Sequence, residues 1–241
     1  MEYKTIVISD LHLGNPYSNW RLLKNFLDNN SCKNLFLNGD IIDDVHLISN
    51  NKELSKEEND FIDDALKKKD TNVVYIKGNH DRDKYVKTID NYFYRSNGKS
   101  YFITHGHNTI FRNPFSSNPY ILRLINSSIL FLAKLQKIHR GIFFQKGKLE
   151  IIDGAEFGIL SKNSRKFFKT TLKFLSKYKK KIRFYSDIYS VDVIISGHIH
   201  HPEIKLIDYN YLYMNSGDWI ENNTALVESI EGKWSIIKWE E

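Results

Sequence analysis

Thr5-Ile6-Val7-Ile8-Ser9-Asp10-Leu11-His12 opens the chain on a short run that breaks into a carboxylate and an imidazole. A run this apolar and β-branched, without polar alternation, reads as a strand buried on both faces. The same event recurs downstream. Residues 34–37 end at Asn38-Gly39-Asp40, with Asp43 three positions on, and residues 73–76 end at Gly78-Asn79-His80-Asp81. Residues 100–103 end at Thr104-His105-Gly106-His107, and residues 191–195 end at Ser196-Gly197-His198-Ile199-His200. In open α/β sheets, ligands sit beyond the carboxyl ends of the strands. Polar groups at five such ends therefore converge although they are distant in sequence.

Between these strands the pattern turns helical. Trp20, Leu23, Phe26 and Leu27 fall at helical spacing within 19–27, with Ser18 as the expected N-cap. Ser55-x-x-Glu58 is a capping box that opens a helix carrying Phe61, Ile62, Ala65 and Leu66. Asn97-Gly98, set between 92–95 and 100–103, is a hairpin signal. Strands at 211–214, 225–228 and 234–239 finish the chain.

The chain has 241 residues, 41% hydrophobic and 27% charged, which excludes a disordered or low-complexity polymer. Cys32 is the single cysteine, so an intrachain disulfide and a cysteine cage for zinc are both excluded. Any metal must be held by His, Asp, Glu or Asn. The run after Met1-Glu2-Tyr3-Lys4 is too short for a signal-peptide core, so a cytoplasmic protein is expected. Charge is uneven. Residues 111–186 carry 17 Lys and Arg against three acids, a balance of +14, which leaves −8 for the rest. Residues 120–138 are apolar but interrupted by Arg123, Lys134 and Lys137, which makes a poor membrane span. This block, read as helical, suits a phosphate-rich partner or an anionic membrane surface; the bland alternative is a solvated lysine-rich face.

The strand-end groups combine hard oxygens with imidazoles, a donor set for Mn, Fe or Zn rather than Ca. Asp10-x-His12 and His198-x-His200 have i, i+2 spacing, which on an extended segment points both side chains the same way. Each piece alone is weak: an Asp-x-His is more often a turn, and Gly-Asn-His a tight loop. Together they are too many for one tetrahedral ion and fit two ions ~3.5–4 Å apart sharing a carboxylate.

Asp10-Leu11-His12, Gly39-Asp40-Ile41-Ile42-Asp43, Gly78-Asn79-His80-Asp81, His105-Gly106 and Gly197-His198-Ile199-His200 resemble the five blocks of the calcineurin-like metallophosphoesterases. The resemblance implies a four-layer α/β/β/α sandwich built from 1–110 and 187–241, with 111–186 as a helical lid. It assigns Asp10, His12, Asp40 and His200 to one metal, and Asp40, Asn79, His105 and His198 to the second. His80 would contact the phosphate and protonate the leaving oxygen, and Asp43 would orient His80. The metals implied are two divalent ions, manganese first, with iron or zinc as alternatives.

Ile8-Ser9-Asp10-Leu11-His12-Leu13-Gly14, His198-Ile199-His200-His201-Pro202 and Asn215-Ser216-Gly217-Asp218-Trp219-Ile220-Glu221 are similar to the UDP-2,3-diacylglucosamine hydrolases of lipid A biosynthesis. That likeness implies hydrolysis of a lipid-nucleotide pyrophosphate, with the lid holding acyl chains at the inner face of the cytoplasmic membrane. A nuclease or nucleotide phosphodiesterase is the competing reading, though the apolar lid disfavours nucleic acid. A non-catalytic scaffold ranks third, because no candidate metal ligand is missing. His201 and Asp218 read as loop residues near the site, and His46 and His139 carry no assignment.

Overall fold

The computed structural model describes residues 1–82, 85–111, 177–208 and 210–240. Of the lid expected over 111–186, residues 112–176 lie outside the described residues, as does His139, while Phe111, Tyr178 and Ile182 at its two ends pack with the main body. Phe111 and the chain from Tyr178 onward belong to the same compact unit as Met1–Phe111. Among the described residues, no helix is long and apolar enough to cross a membrane.

Among the described residues, ten strands and four helices form two mixed sheets with helices outside them. The first sheet has the order β10-β9-β1-β2-β3. Its strands are β1 (Glu2–Ile8), β2 (Ser31–Asn38), β3 (Asn72–Ile76), β9 (Thr224–Glu228) and β10 (Trp234–Lys238). The second has the order β4-β5-β6-β8-β7. Its strands are β4 (Asn91–Ser96), β5 (Lys99–Thr104), β6 (Val193–Ser196), β7 (Glu203–Ile207) and β8 (Tyr211–Asn215). The helices are α1 (Trp20–Asn29), α2 (Asp44–Ser49), α3 (Lys56–Leu66) and α4 (Tyr178–Tyr189).

Alternation of side chains explains the layers. Ile6 and Ile8 of β1, with Leu35 and Leu37 of β2, pack outward against α1 and α3 through Leu23, Phe26, Phe61 and Ile62. Val7 and Phe36 point the other way, into a layer shared with Tyr101, Ile103, Val193, Ile195 and Met214 of the second sheet. On the far side, Phe102, Ile194 and Tyr213 meet Tyr178 and Ile182 of α4. The result is the expected α/β/β/α sandwich. It also explains why these strands read as unbroken apolar runs: both of their faces are covered.

A buried polar seam crosses between the sheets at β9 and β4. Glu228 is fully buried and accepts from Thr5 Oγ1 at 2.8 Å, Tyr94 OH at 3.1 Å and Ser96 Oγ at 2.5 Å. Three hydroxyl donors meet the requirement that a buried carboxylate be hydrogen-bonded.

Parallel pairing aligns the strand ends. Ile8 lies beside Leu37 and Asn38 beside Ile76, while Ile103 lies beside Ile195 and Ser196 beside Asn215. The loops that follow all emerge at one rim.

Local readings fare unevenly. The Ser55–Glu58 capping box forms as expected, and Asn97 and Gly98 adopt φ of 48° and 73° in the hairpin turn. Ser18 is not the N-cap of α1; Asn19 is, without a side-chain cap bond. Its amide is turned instead to Ile220 O and Asn223 Oδ1. Two elements went unread. Six-residue α2 has no long apolar period but is capped by Asp43, and β7 is an edge strand with three exposed residues.

Phe36 is fully buried between the sheets, with its ring 5.2 Å from Tyr94 and 5.5 Å from Tyr92. Phe36→Ala is expected to lower stability by about 3–5 kcal/mol. Denaturant unfolding of the purified variant measures this.

Candidate metal centre

The loops after β1 and β2 run side by side, zipped by backbone bonds. Asp10 N donates to Gly39 O at 3.0 Å, His12 N to Asp40 O at 2.9 Å, and Asp43 N to Leu13 O at 2.9 Å. Further bonds cross from one sheet to the other. Trp219 N donates to Asp10 O at 3.1 Å, and His198 N donates to the Asp10 carboxylate at 3.0 Å. His105 Nδ1 donates to Asn38 O at 2.9 Å, so Nε2 faces Asp40 and offers a lone pair once its proton is lost.

The i, i+2 pairs do not lie on extended backbone as expected. Asp10, His12, Asp40, His198 and His200 have φ of 55°, 52°, 51°, 68° and 48°. Left-handed residues kink the chain at each strand end, and Asp and His are among the side chains that tolerate this conformation best. Gly39 and Gly78 permit the tight approach. A Cβ at Gly78 would lie 2.2 Å from the Asp40 carboxylate, and one at Gly39 would lie 2.5 Å from the His105 ring.

Three overlapping trios result: Asp10–His12–His200, His12–Asp40–His80, and Asp40–His105–His198, each with ligand atoms within 4.8 Å of one another. Asp40 belongs to two of them. His105 Nε2 approaches Asp40 at 3.2 Å, and His200 Nε2 approaches Asp10 at 3.3 Å. Asp43 stands behind, taking His80 Nδ1–H at 2.8 Å on one oxygen and His12 Nδ1–H at 3.2 Å on the other. Asn79 is exposed one residue before His80, on the same loop. The His107 ring lies tilted beside those of His105 and His198, with centroids 5.5 and 6.3 Å away, outside the trios, and His201 is exposed. His46 lies on α2, with its backbone N–H donating to Asp43.

The site suits divalent cations on its own evidence. Asp10 Oδ1, His12 Nε2 and His105 Nε2 are buried without a hydrogen-bond partner. Each such atom costs about 1–3 kcal/mol, more when charged, unless something binds it. Cations bound at the trios would satisfy all three, and mixed carboxylate and imidazole donors suit a first-row divalent ion.

Two supports escaped the sequence reading. Asp81 is buried and accepts from Asp40 N, Gly78 N, Ile42 N and Tyr75 OH, so one carboxylate fastens the second loop to the third. Asn15 donates to Asp43 at 3.1 Å. Asp81 was visible at the end of its block, but a carboxylate turned inward to backbone N–H groups looks, in sequence, like any acid in a loop.

Electrostatics in the metal-free protein follow from crowding. Burial opposes ionisation of Asp10, but His200 and His105 outweigh it and hold the carboxyl at about 2. Burial is likewise overridden at Asp40, by His105 and His12, and at Asp43, by His12 and His80; both stay well ionised. Burial works against a charged His105, yet the Asp40 and Asp10 carboxylates raise it to about 10. Burial and the neighbouring His105 cation push His198 down to about 3, so it is neutral at pH 7.

His105 therefore carries a proton at neutral pH and must lose it to become a ligand. The charge pairing it makes stabilises the metal-free fold below the ordinary imidazole pKa of ~6.5 and is lost as pH rises through about 10. Metal loading at pH 7.5 is expected to release about one proton, with affinity rising as pH rises. Calorimetric titration with Mn²⁺ in buffers of different ionisation enthalpy measures the proton count.

Residues 3–202 match the family model of calcineurin-like phosphoesterases. No curated relative matches in sequence. Among solved structures, a single mutant of Vps29 from Entamoeba histolytica is similar at 11% identity, covering 98% of this chain and 99% of that one, with a TM-score of 0.47. An archaeal phosphodiesterase is similar at 14% identity, covering 97% and 98%, with a TM-score of 0.46. A conserved predicted phosphoesterase from Streptococcus pneumoniae is similar at 12% identity, covering 98% and 97%, with a TM-score of 0.40. Because the family match runs from β1 through His200 and so takes in the five strand ends that carry the carboxylate, amide and imidazole groups, the chain belongs to the calcineurin-like phosphoesterases and is a metal-dependent phosphoesterase.

Proposed function

We propose that the site hydrolyses the pyrophosphate of a lipid-nucleotide of the UDP-2,3-diacylglucosamine type, using two divalent ions of which manganese is the first choice. Asp10, His12, Asp40 and His200 would hold one ion, and Asp40, Asn79, His105 and His198 the other. Bound there, such ions polarise phosphoryl oxygens and supply ionised water near neutral pH.

The proton comes from the chain itself. Burial works against a charged His80, but the Asp43 hydrogen bond outweighs it and raises the imidazole above its ordinary pKa. Asp43 accepts the hydrogen bond from Nδ1–H, which leaves the Nε2–H of the charged imidazole to be given to the leaving oxygen. The His80 side chain is 30% exposed, so a substrate can reach it, while Asp43 at 4% stays shielded from water. Asn15 and the backbone N–H of His46 hold Asp43 in turn.

The observation that carries the substrate reading is the stretch 215–221, which resembles the lipid-nucleotide branch. It leads from β8 into β9 directly behind Asp10, where Trp219 N bonds Asp10 O. The basic and apolar composition of 111–186 supports a lipid tail and contact with the inner face of the cytoplasmic membrane. His80 favours a second reading. Its imidazole, where the best-known members of that branch carry arginine, suits a general phosphodiesterase acting on nucleotides.

His80→Ala is expected to retain metal while turnover falls by roughly 10²–10⁴; unchanged turnover removes its role as acid. Asp40→Ala should lose metal and activity together. A Mn²⁺-supplemented panel of UDP-diacylglucosamine, a nitrophenyl phosphodiester, a monoester, cyclic nucleotides and single-stranded DNA separates the two readings. Preference for the lipid-nucleotide supports the first, and preference for the phosphodiesters or DNA supports the second.

A further inference from the structure

The loop between β8 and β9 holds the Asp10–His12–His200 trio from behind, and a carboxylate lies at its centre. Asp218 is fully buried. One of its oxygens accepts from Ile220 N at 2.9 Å, Glu221 N at 2.5 Å and Asn222 N at 3.3 Å, curling the loop around the side chain. The other oxygen takes Asn222 Nδ2–H and lies 3.9 Å from His200 Nδ1. Asn222 Nδ2 also donates to His200 O at 2.9 Å. The same amide thus bonds both Asp218 and the backbone of His200.

The neighbouring residues grip Asp10. Trp219 N donates to Asp10 O at 3.1 Å, and the fully buried Trp219 ring packs 5.5 Å from Phe26 of α1. Ser9, just before Asp10, donates to Gly217 O at 3.1 Å and shares a 2.7 Å hydroxyl bond with Ser216. Asp10 ends a strand of one sheet and His200 follows a strand of the other. The loop is attached to both, and Asp218 is the acceptor that sets its curl.

We propose that Asp218 is a positioning residue for the Asp10–His12–His200 trio, setting His200 through Asn222 and Asp10 through Trp219, so that one cation site depends on it and the other does not. The contrast has a geometric basis. The Asp40–His105–His198 trio takes most of its support from elsewhere, through His105 on Asn38 O and through Asp40 on His80 N and Asp81, and its bond to Asp10 comes from the backbone N–H of His198 rather than from a ligand atom. At 3.9 Å the Asp218 carboxylate is outside hydrogen-bond reach of the His200 ring and acts on it through Asn222 and the His200 backbone; removal of a support behind a metal ligand costs metal affinity. This inference rests on the reading of the trios as cation sites.

The test is Mn²⁺ binding to the metal-free full chain, read by calorimetry and by the electron-spin resonance signal of free Mn²⁺, without recourse to turnover. Wild type is expected to bind two ions. Asp218→Asn should weaken one of them by roughly 10–100-fold and leave the other unchanged, and Asn222→Ala should weaken the same one. Far-UV circular dichroism checks that each variant is folded, and Asn222→Ala carries the test alone where Asp218→Asn does not fold. Equal weakening of both ions, or two wild-type affinities in a folded variant, overturns the positioning role while leaving the metal centre intact. A wild-type chain that binds no Mn²⁺ overturns the reading beneath it as well.

Discussion

Buried negative charge governs this protein. Asp10, Asp40 and Asp43 are each at most 3% exposed at the rim where the strands end. Like charges removed from water repel strongly and must be matched by cations or hydrogen-bond donors. In the metal-free chain that match comes from imidazoles, which is why the carboxyls are held low while His105 is raised to about 10. Divalent cations are the stronger match. The same crowding that makes the cluster costly to fold is what makes it receptive to metal and, through metal, to phosphate.

Everything around the cluster keeps it from relaxing. Asp81 fastens the second loop to the third with four hydrogen bonds, and the Glu228 seam fixes β9 against β4. Bonds from Trp219, His198 and His105 tie loops of one sheet to groups on the other. Since the ligands proposed for each ion come from both sheets, slippage between the sheets would pull both proposed sites apart. The apolar layer around Phe36 and Met214 is part of the catalytic apparatus in that sense.

Much of this was legible in the sequence because burial on both faces leaves a simple trace. Thr5–Ile8 and residues 34–37 read as core strands without any knowledge of partners, and the abrupt polar residue at each end marked the rim. The donor chemistry was legible too, since Asp, His and Asn at five such ends have few other collective explanations. What stayed hidden depends on orientation. Asp81 and Asp218 look like acids in loops until their oxygens are seen to accept from backbone N–H groups. The short α2 has too few turns for a period, and its start is set by Asp43, a residue first read for its chemistry. Spacing also misled: His198 and His200 face the same site through left-handed kinks, not through the alternation of an extended strand.

Those kinks restrict the protein's vocabulary. On the proposed reading, a side chain at Asp10, His12, Asp40, His198 or His200 has to bind metal, and it must also be comfortable with a backbone of the opposite hand. Asp, Asn and His meet both conditions; β-branched residues fail the second. Two unrelated filters, one from coordination chemistry and one from steric handedness, therefore admit nearly the same short alphabet. A ligand exchange that looks harmless on paper, such as Asp40→Glu, lengthens the arm and also places a less tolerant side chain on a strained turn. Drift at this rim is expected to be narrower than metal binding alone would demand.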